Sequence, residues 1–89
     1  MEVTFSKAFA RAFKRKIKGT EFETEFWIRT ELFTEDPFTT KLKTHKLSGK
    51  LKELWSFSIG YDLRVVFFFT NDNPRKAVFV DIGTHNEVY

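Results

Sequence analysis

The sequence has two histidines, His45 and His85, and an imidazole can serve near neutral pH as proton donor or acceptor. Arg64 adds a planar fork of donors that matches phosphate oxygens and stays cationic. Asp62, two residues earlier, is a second candidate base, and Tyr89 offers a ring that can stack on a splayed base or orient a reacting oxygen. These are the parts needed to cut RNA without a metal. The 2′-hydroxyl attacks the neighbouring phosphorus while a base takes its proton, an acid protonates the leaving oxygen and a cation stabilises the phosphate. Taken singly, each residue has a plainer reading: His45 as a loop residue, Arg64 as a surface cation pairing with Asp62.

Other chemistries find less support. The sequence has no Cys, which excludes disulfides, thiolate zinc sites and cysteine nucleophiles. Zinc accepts His and Asp, but no local spacing places two of His45, Asp62 and His85 on one turn, so neither metal nor cofactor is expected. A Gly-rich phosphate loop and a Ser-His-Asp pattern are both missing. Lys41, Lys43, Lys46, Lys50 and Lys52 follow one another with no carboxylate between them, a run suited to clamping ribosomal RNA phosphates without reading sequence. The net charge of +3 and pI near 9.3 favour a polyanionic partner in the same mild way.

The elements that must carry these residues are readable from periodicity. Phe5, Ala8, Phe9, Ala12, Phe13 and Ile17 form one helical stripe up to Lys18, with Gly19 as a left-handed cap. Thr20 and Glu23 read as a capping box for a second helix, which turns Phe22, Phe26, Ile28, Leu32 and Phe33 inward and ends at Asp36-Pro37. The first helix is basic and the second acidic, which suggests mutual charge complementarity on solvated faces. Trp55, Phe57 and Ile59 alternate, as do Leu63, Val65, Phe67 and Phe69 beyond a Gly60-Tyr61 turn, so a hairpin is expected. Ala77 to Ile82 supplies another strand and Met1 to Thr4 a short edge strand. The expected fold is α+β in the order β-α-α-β-β-β: one domain over residues 1–89, a helical hairpin packed on one face of a small, mostly antiparallel twisted sheet. Phe9, Phe13, Phe26, Leu63, Val65 and Phe67 form its core. Alternation leaves Asp62 and Arg64 on the open face, and Gly83, tolerant of positive φ, bends the chain so that His85 and Tyr89 return to it. Twelve Phe among 89 residues exceed what so small a core holds, so some should be exposed for a partner. Val65 to Phe69 is far shorter than the roughly 20 apolar residues of a membrane helix, and a cytoplasmic location is expected.

The string Thr44-His45-Lys46-Leu47-Ser48-Gly49, then Trp55, then Tyr61-Asp62-Leu63-Arg64, and finally Asp81 through Tyr89 with Gly83-Thr84-His85, resembles the RelE/ParE toxin superfamily across the whole chain. The resemblance is greatest to ribonuclease members of the RelE and YafQ type. It implies a RelE-like fold and a toxin that binds the ribosomal A site and cuts messenger RNA there, silenced by a cognate antitoxin. His45 and His85 match histidines of YafQ-like members, Asp62 an acidic active-site position, Arg64 the phosphate-binding arginine and Tyr89 an aromatic position. On this basis His85 is the acid, Arg64 the charge stabiliser, and either His45 or Asp62 the base. The sequence departs from the pattern at Ser58, where YafQ-like toxins can carry a further histidine, and at Asp81, where a basic residue can occur. Two other readings compete. One is a gyrase-poisoning ParE-like toxin, which needs no acid-base residues; the other is a non-catalytic RNA- or protein-binding module.

Overall fold

Ser6 closes one element and opens the next. Its N–H continues the ladder of strand β1 (Glu2–Phe5) by donating to the Phe79 carbonyl at 3.0 Å, and its Oγ accepts the Phe9 N–H at 3.0 Å as the N-cap of helix α1 (Lys7–Lys16). The computed structural model, which describes all residues but Lys52, with Lys50 described by its backbone only, thus starts the first helix after Phe5. Phe5 is held in β1 opposite Phe79. Gly19 is left-handed as expected, at φ +81°, but it lies in the turn two residues beyond the C-cap of α1, which is Ile17. The Thr20–Glu23 pair works differently from a capping box. Helix α2 (Phe22–Glu35) has Glu21 at its N-cap position; the Thr20 hydroxyl donates to the Ile17 carbonyl and accepts the Phe22 N–H, while Glu23 accepts the N–H of Gly19 at 2.8 Å. The two side chains clasp the turn between the helices.

The remaining elements are β2 (His45–Lys46), β3 (Trp55–Ser58), β4 (Leu63–Phe69), β5 (Lys76–Thr84) and a short helix α3 (His85–Val88), with 3-10 turns at Thr40–Leu42 and Gly49–Leu51. They form a five-stranded sheet in the order β1-β5-β4-β3-β2, antiparallel except where β1 runs parallel to β5. The α+β architecture therefore holds, with β2 and α3 added to the expected order.

Helix and sheet meet at Phe33. Its ring stacks on Phe57 at 4.9 Å between centroids and stands edge-on to Phe67 at 4.9 Å and Phe79 at 5.4 Å, so one residue of α2 touches β3, β4 and β5. Phe9, Phe26, Val65 and Phe67 are buried as expected, with Phe13 and Leu63 half-buried against them. Two expectations for α2 fail. Its inner face runs Phe26, Thr30, Phe33, so Ile28, two residues off that line, is exposed, and Phe22 lies a turn earlier over the β3–β4 bend, 45% exposed. Nor do short ion pairs join α1 to α2 among the described residues, where the bridges are Lys16–Glu87, Arg29–Glu25 and Lys76–Asp72.

Strand β5 contains one irregularity. Val66 faces Asp81 but Phe67 faces Phe79, so Val80 is the extra residue of a β-bulge. Ala77, Phe79 and Ile82 are all fully buried despite the three-residue step between the last two. Without the bulge, strict alternation after Phe79 would turn Asp81 toward the helices.

Arg29 ties α2 to the far side of the sheet. Its Nε donates to Glu25 at 2.6 Å, and its Nη1 reaches the carbonyls of Lys41 at 3.1 Å and Ser58 at 3.2 Å. Arg29→Met should lower unfolding free energy in urea by about 2 kcal/mol, the scale of charge-assisted hydrogen bonds to partners left unpaired. Glu25→Gln, which removes only a half-exposed ion pair, should cost less than about 1 kcal/mol.

Candidate active site

Residues directly opposite in a β-ladder project to the same side. On the side away from the α1–α2 hairpin this produces two rows. One crosses all four antiparallel strands as His45, Ser56, Val66 and Asp81; the other, one pleat away, runs Ser58, Arg64 and Gly83. Arg64 is therefore opposite in direction to its neighbours, the buried Val65 and the half-buried Leu63, as the alternation predicts.

Helix α3 packs over this face against β5 and β4. It buries no residue and is held by polar contacts. Glu87 accepts the Thr84 N–H at 2.8 Å in a reciprocal capping box, and Lys16 reaches round the edge of β5 to donate to the Ile82 carbonyl at 3.2 Å and approach Glu87 at 3.7 Å. The Tyr89 hydroxyl meets Ser56 Oγ, and the Tyr89 ring lies 4.5 Å from that of His85, nearly perpendicular to it. Gly83 leaves room here for the ends of two side chains, which a Cβ would oblige to shift. Its φ is not positive; a Cβ on it would sit 2.7 Å from Glu87 Oε1 and 2.9 Å from Lys16 Nζ. The chain returns to the open face by forming α3, not by a bend at Gly83.

The candidate residues fall into two groups. His45, Arg64, His85 and Tyr89 belong to the open face or to α3 above it. Asp62 lies in the exposed bend before β4, where it lines a depression at the end of the sheet with Phe22, Glu25 and Tyr61. It makes no ion pair with Arg64, whose Nη1 donates to the Leu63 carbonyl at 3.3 Å. Among the described residues the Arg64 guanidinium has no carboxylate partner, which leaves donors for an anion. Asp81 shares the face, with Oδ1 occupied by the N–H of Ile82 at 2.8 Å. His45 Nδ1 is 3.1 Å from the Lys43 carbonyl; a carbonyl only accepts, so in the tautomer that makes this bond Nδ1 is the donor and Nε2 has the free lone pair. Lys41 and Lys43 are exposed on the segment leading into β2 and Lys46 is exposed within β2, opposite Trp55 and so directed away from the His45 row, while the Lys50 side chain and Lys52 lie outside the described residues. Ser56, fully buried between His45 and Val66, was not found by sequence reasoning; its one signal is a serine alternating with Trp55 and Phe57 in a strand.

The Thr84 N–H bonded to it, together with Lys16, holds the Glu87 carboxyl below the usual carboxylate range against the opposing effect of desolvation. A depressed value in the folded state means the contact stabilises above the unfolded pKa and is lost as pH falls through the folded one. The hydrogen-exchange protection of the Thr84 amide should therefore persist at neutral pH and fall in acid, below the normal glutamate pKa. Glu87→Gln should remove that pH dependence.

A family model described as bacterial toxin of type II toxin-antitoxin system, YafQ, matches residues 1–89. Among solved structures, a metal-bound toxin from Helicobacter pylori is 27% identical, with TM-score 0.74 over 100% of this chain and 99% of that one. YafQ from Escherichia coli strain BL21(DE3) is 17% identical at TM-score 0.80, covering 99% and 97%. The chain is also similar to the E. coli DinJ-YafQ complex, at 18% identity and TM-score 0.71 over 99% and 97%. No curated protein matches. Among the described residues no three His, Asp or Glu side chains gather into a group that could hold a metal ion.

Proposed function

The chain belongs to the YafQ family of bacterial toxins of type II toxin-antitoxin systems, and from that premise we propose that it is an endoribonuclease that cuts messenger RNA on the ribosome. The observation that carries this reading is the unpaired Arg64 on the same sheet face as His45, with His85 on the helix packed over that face. A phosphodiester laid across the two rows meets a cation, a base and an acid.

In this mechanism His45 Nε2 takes the proton of the 2′-hydroxyl, whose oxygen forms a bond to phosphorus. His85 gives its proton to the 5′-oxygen as the P–O5′ bond breaks, leaving a 2′,3′-cyclic phosphate and a free 5′-hydroxyl. Arg64 binds the equatorial oxygens as charge builds. Two features favour His45 over Asp62 as the base: the Lys43 carbonyl beside Nδ1, which favours the tautomer with Nε2 free, and the position of Asp62 in the depression at the end of the sheet, away from the open-face rows. No step passes through a metal. Lys41, Lys43 and Lys46 supply sequence-independent contacts to ribosomal RNA. The silencing partner is a cognate antitoxin, by analogy with the complex of YafQ with DinJ. Its apolar residues would cover Phe5 and Trp27, which are 43% and 46% exposed with rings 6.3 Å apart. All of this takes place in the cytoplasm, where ribosomes are.

His85→Ala and Arg64→Ala should each slow single-turnover cleavage of ribosome-bound messenger by about 10²-fold or more. Ribosome binding should survive His85→Ala, and chelator should change nothing. A 2′-deoxy substitution at the scissile nucleotide should abolish cutting; a deoxy substrate cut at the normal rate would disprove the mechanism, and loss of activity with chelator would move it to a metal.

A further inference from the structure

Helix α3 is four residues long and buries none of them, yet it carries His85. A helix that short has no stability of its own, so the position of His85 depends on what fastens α3 at either end. The near end is fixed by the Thr84–Glu87 box and Lys16. The far end has one polar tie to the sheet among the described residues, the hydroxyl contact of Tyr89 with Ser56.

Ser56 is well placed for this. It is a fully buried serine in the middle of the open-face row, between His45 on one side and Val66 on the other. A buried hydroxyl needs a partner, and Tyr89 supplies it. The Tyr89 ring in turn stands edge-on against the His85 imidazole at 4.5 Å. The contacts run from the sheet floor to the acid as Ser56, Tyr89, His85, and they begin next to the base, His45.

We propose that the Ser56–Tyr89 hydroxyl pair is a latch that positions His85 over the open face, and that Ser56 and Tyr89 are positioning residues for the cleavage reaction. Tyr89 then acts through His85, its hydroxyl engaged with the sheet and its ring serving as the wall that sets the imidazole's orientation. The catalytic part of this inference rests on the proposed nuclease function; the structural part does not.

The test uses the full chain with Ser56→Ala, Tyr89→Phe and the double variant. Each single variant should lower kcat for ribosome-bound messenger about tenfold, the scale of one lost hydrogen bond, with KM unchanged. The double variant should be no slower than the slower single, because both changes remove the same contact. Ser56→Thr, which keeps the hydroxyl, should recover most of the rate. Thermal unfolding of Ser56→Ala, which removes the buried hydroxyl together with its bond, should stay close to wild type, whereas Tyr89→Phe, which strands the Ser56 hydroxyl, should unfold at a lower temperature. Independently of any RNA, NMR should find the His85 ring protons displaced by the Tyr89 ring current, and that displacement should collapse toward the free-histidine position in Ser56→Ala and in Tyr89→Phe. A displacement that persists in both variants overturns the latch even if the protein cleaves RNA as proposed. Losses that multiply in the double variant, or appear in KM alone, overturn the positioning role. If the wild-type chain cuts no RNA, the nuclease reading and the catalytic role both fall, while the NMR comparison still decides the latch.

Discussion

One aromatic ring decides which way the sheet faces. Phe33 meets Phe57, Phe67 and Phe79 on three adjacent strands, and burying four rings together sets the strand faces far more firmly than any surface contact could. Because side chains alternate along a strand, fixing those three inward also fixes Ser56, Ser58, Arg64 and Val66 outward. The polar face is thus the necessary reverse of the apolar one.

The two faces are built from different forces. The helical side is a dry aromatic core that tolerates no polar intrusion beyond Thr30, whose hydroxyl has no partner there. The other side carries α3, held among the described residues by a capping box, one lysine and a hydroxyl pair. Hydrophobic burial of this kind stabilises globally, whereas a handful of exposed polar contacts opens and closes locally. The fold and the candidate site can therefore fail separately.

Long-period signals were legible in the sequence. The helical stripe of α1, the alternation from Leu63 to Phe69 and the outward direction of Arg64 all follow from spacing, since each is repeated over two or more turns or pleats. Short elements were not: β2 has two residues and α3 four, too few for any period to show. Asp62 was assigned to the Arg64 face by extending the alternation one residue too far, past the point where the strand gives way to the bend. Gly83 was read as a hinge because glycine permits positive φ, whereas the structure uses its missing Cβ. That need depends on Lys16 and Glu87 arriving from elements distant in sequence. Ser56 was overlooked for the same reason: its partner lies 33 residues away.

The bulge at Val80 gives β5 a double allegiance. Before it, the strand serves the core, with Ala77 and Phe79 facing the helices; after it, Asp81 and Gly83 face the opposite way and support α3. The extra residue acts as a phase shifter between two independent alternations. Changes at the outward positions 81 and 83 leave the inward set Ala77, Phe79 and Ile82 in register, so a lineage could revise what happens on the open face while the aromatic interior stays as it is.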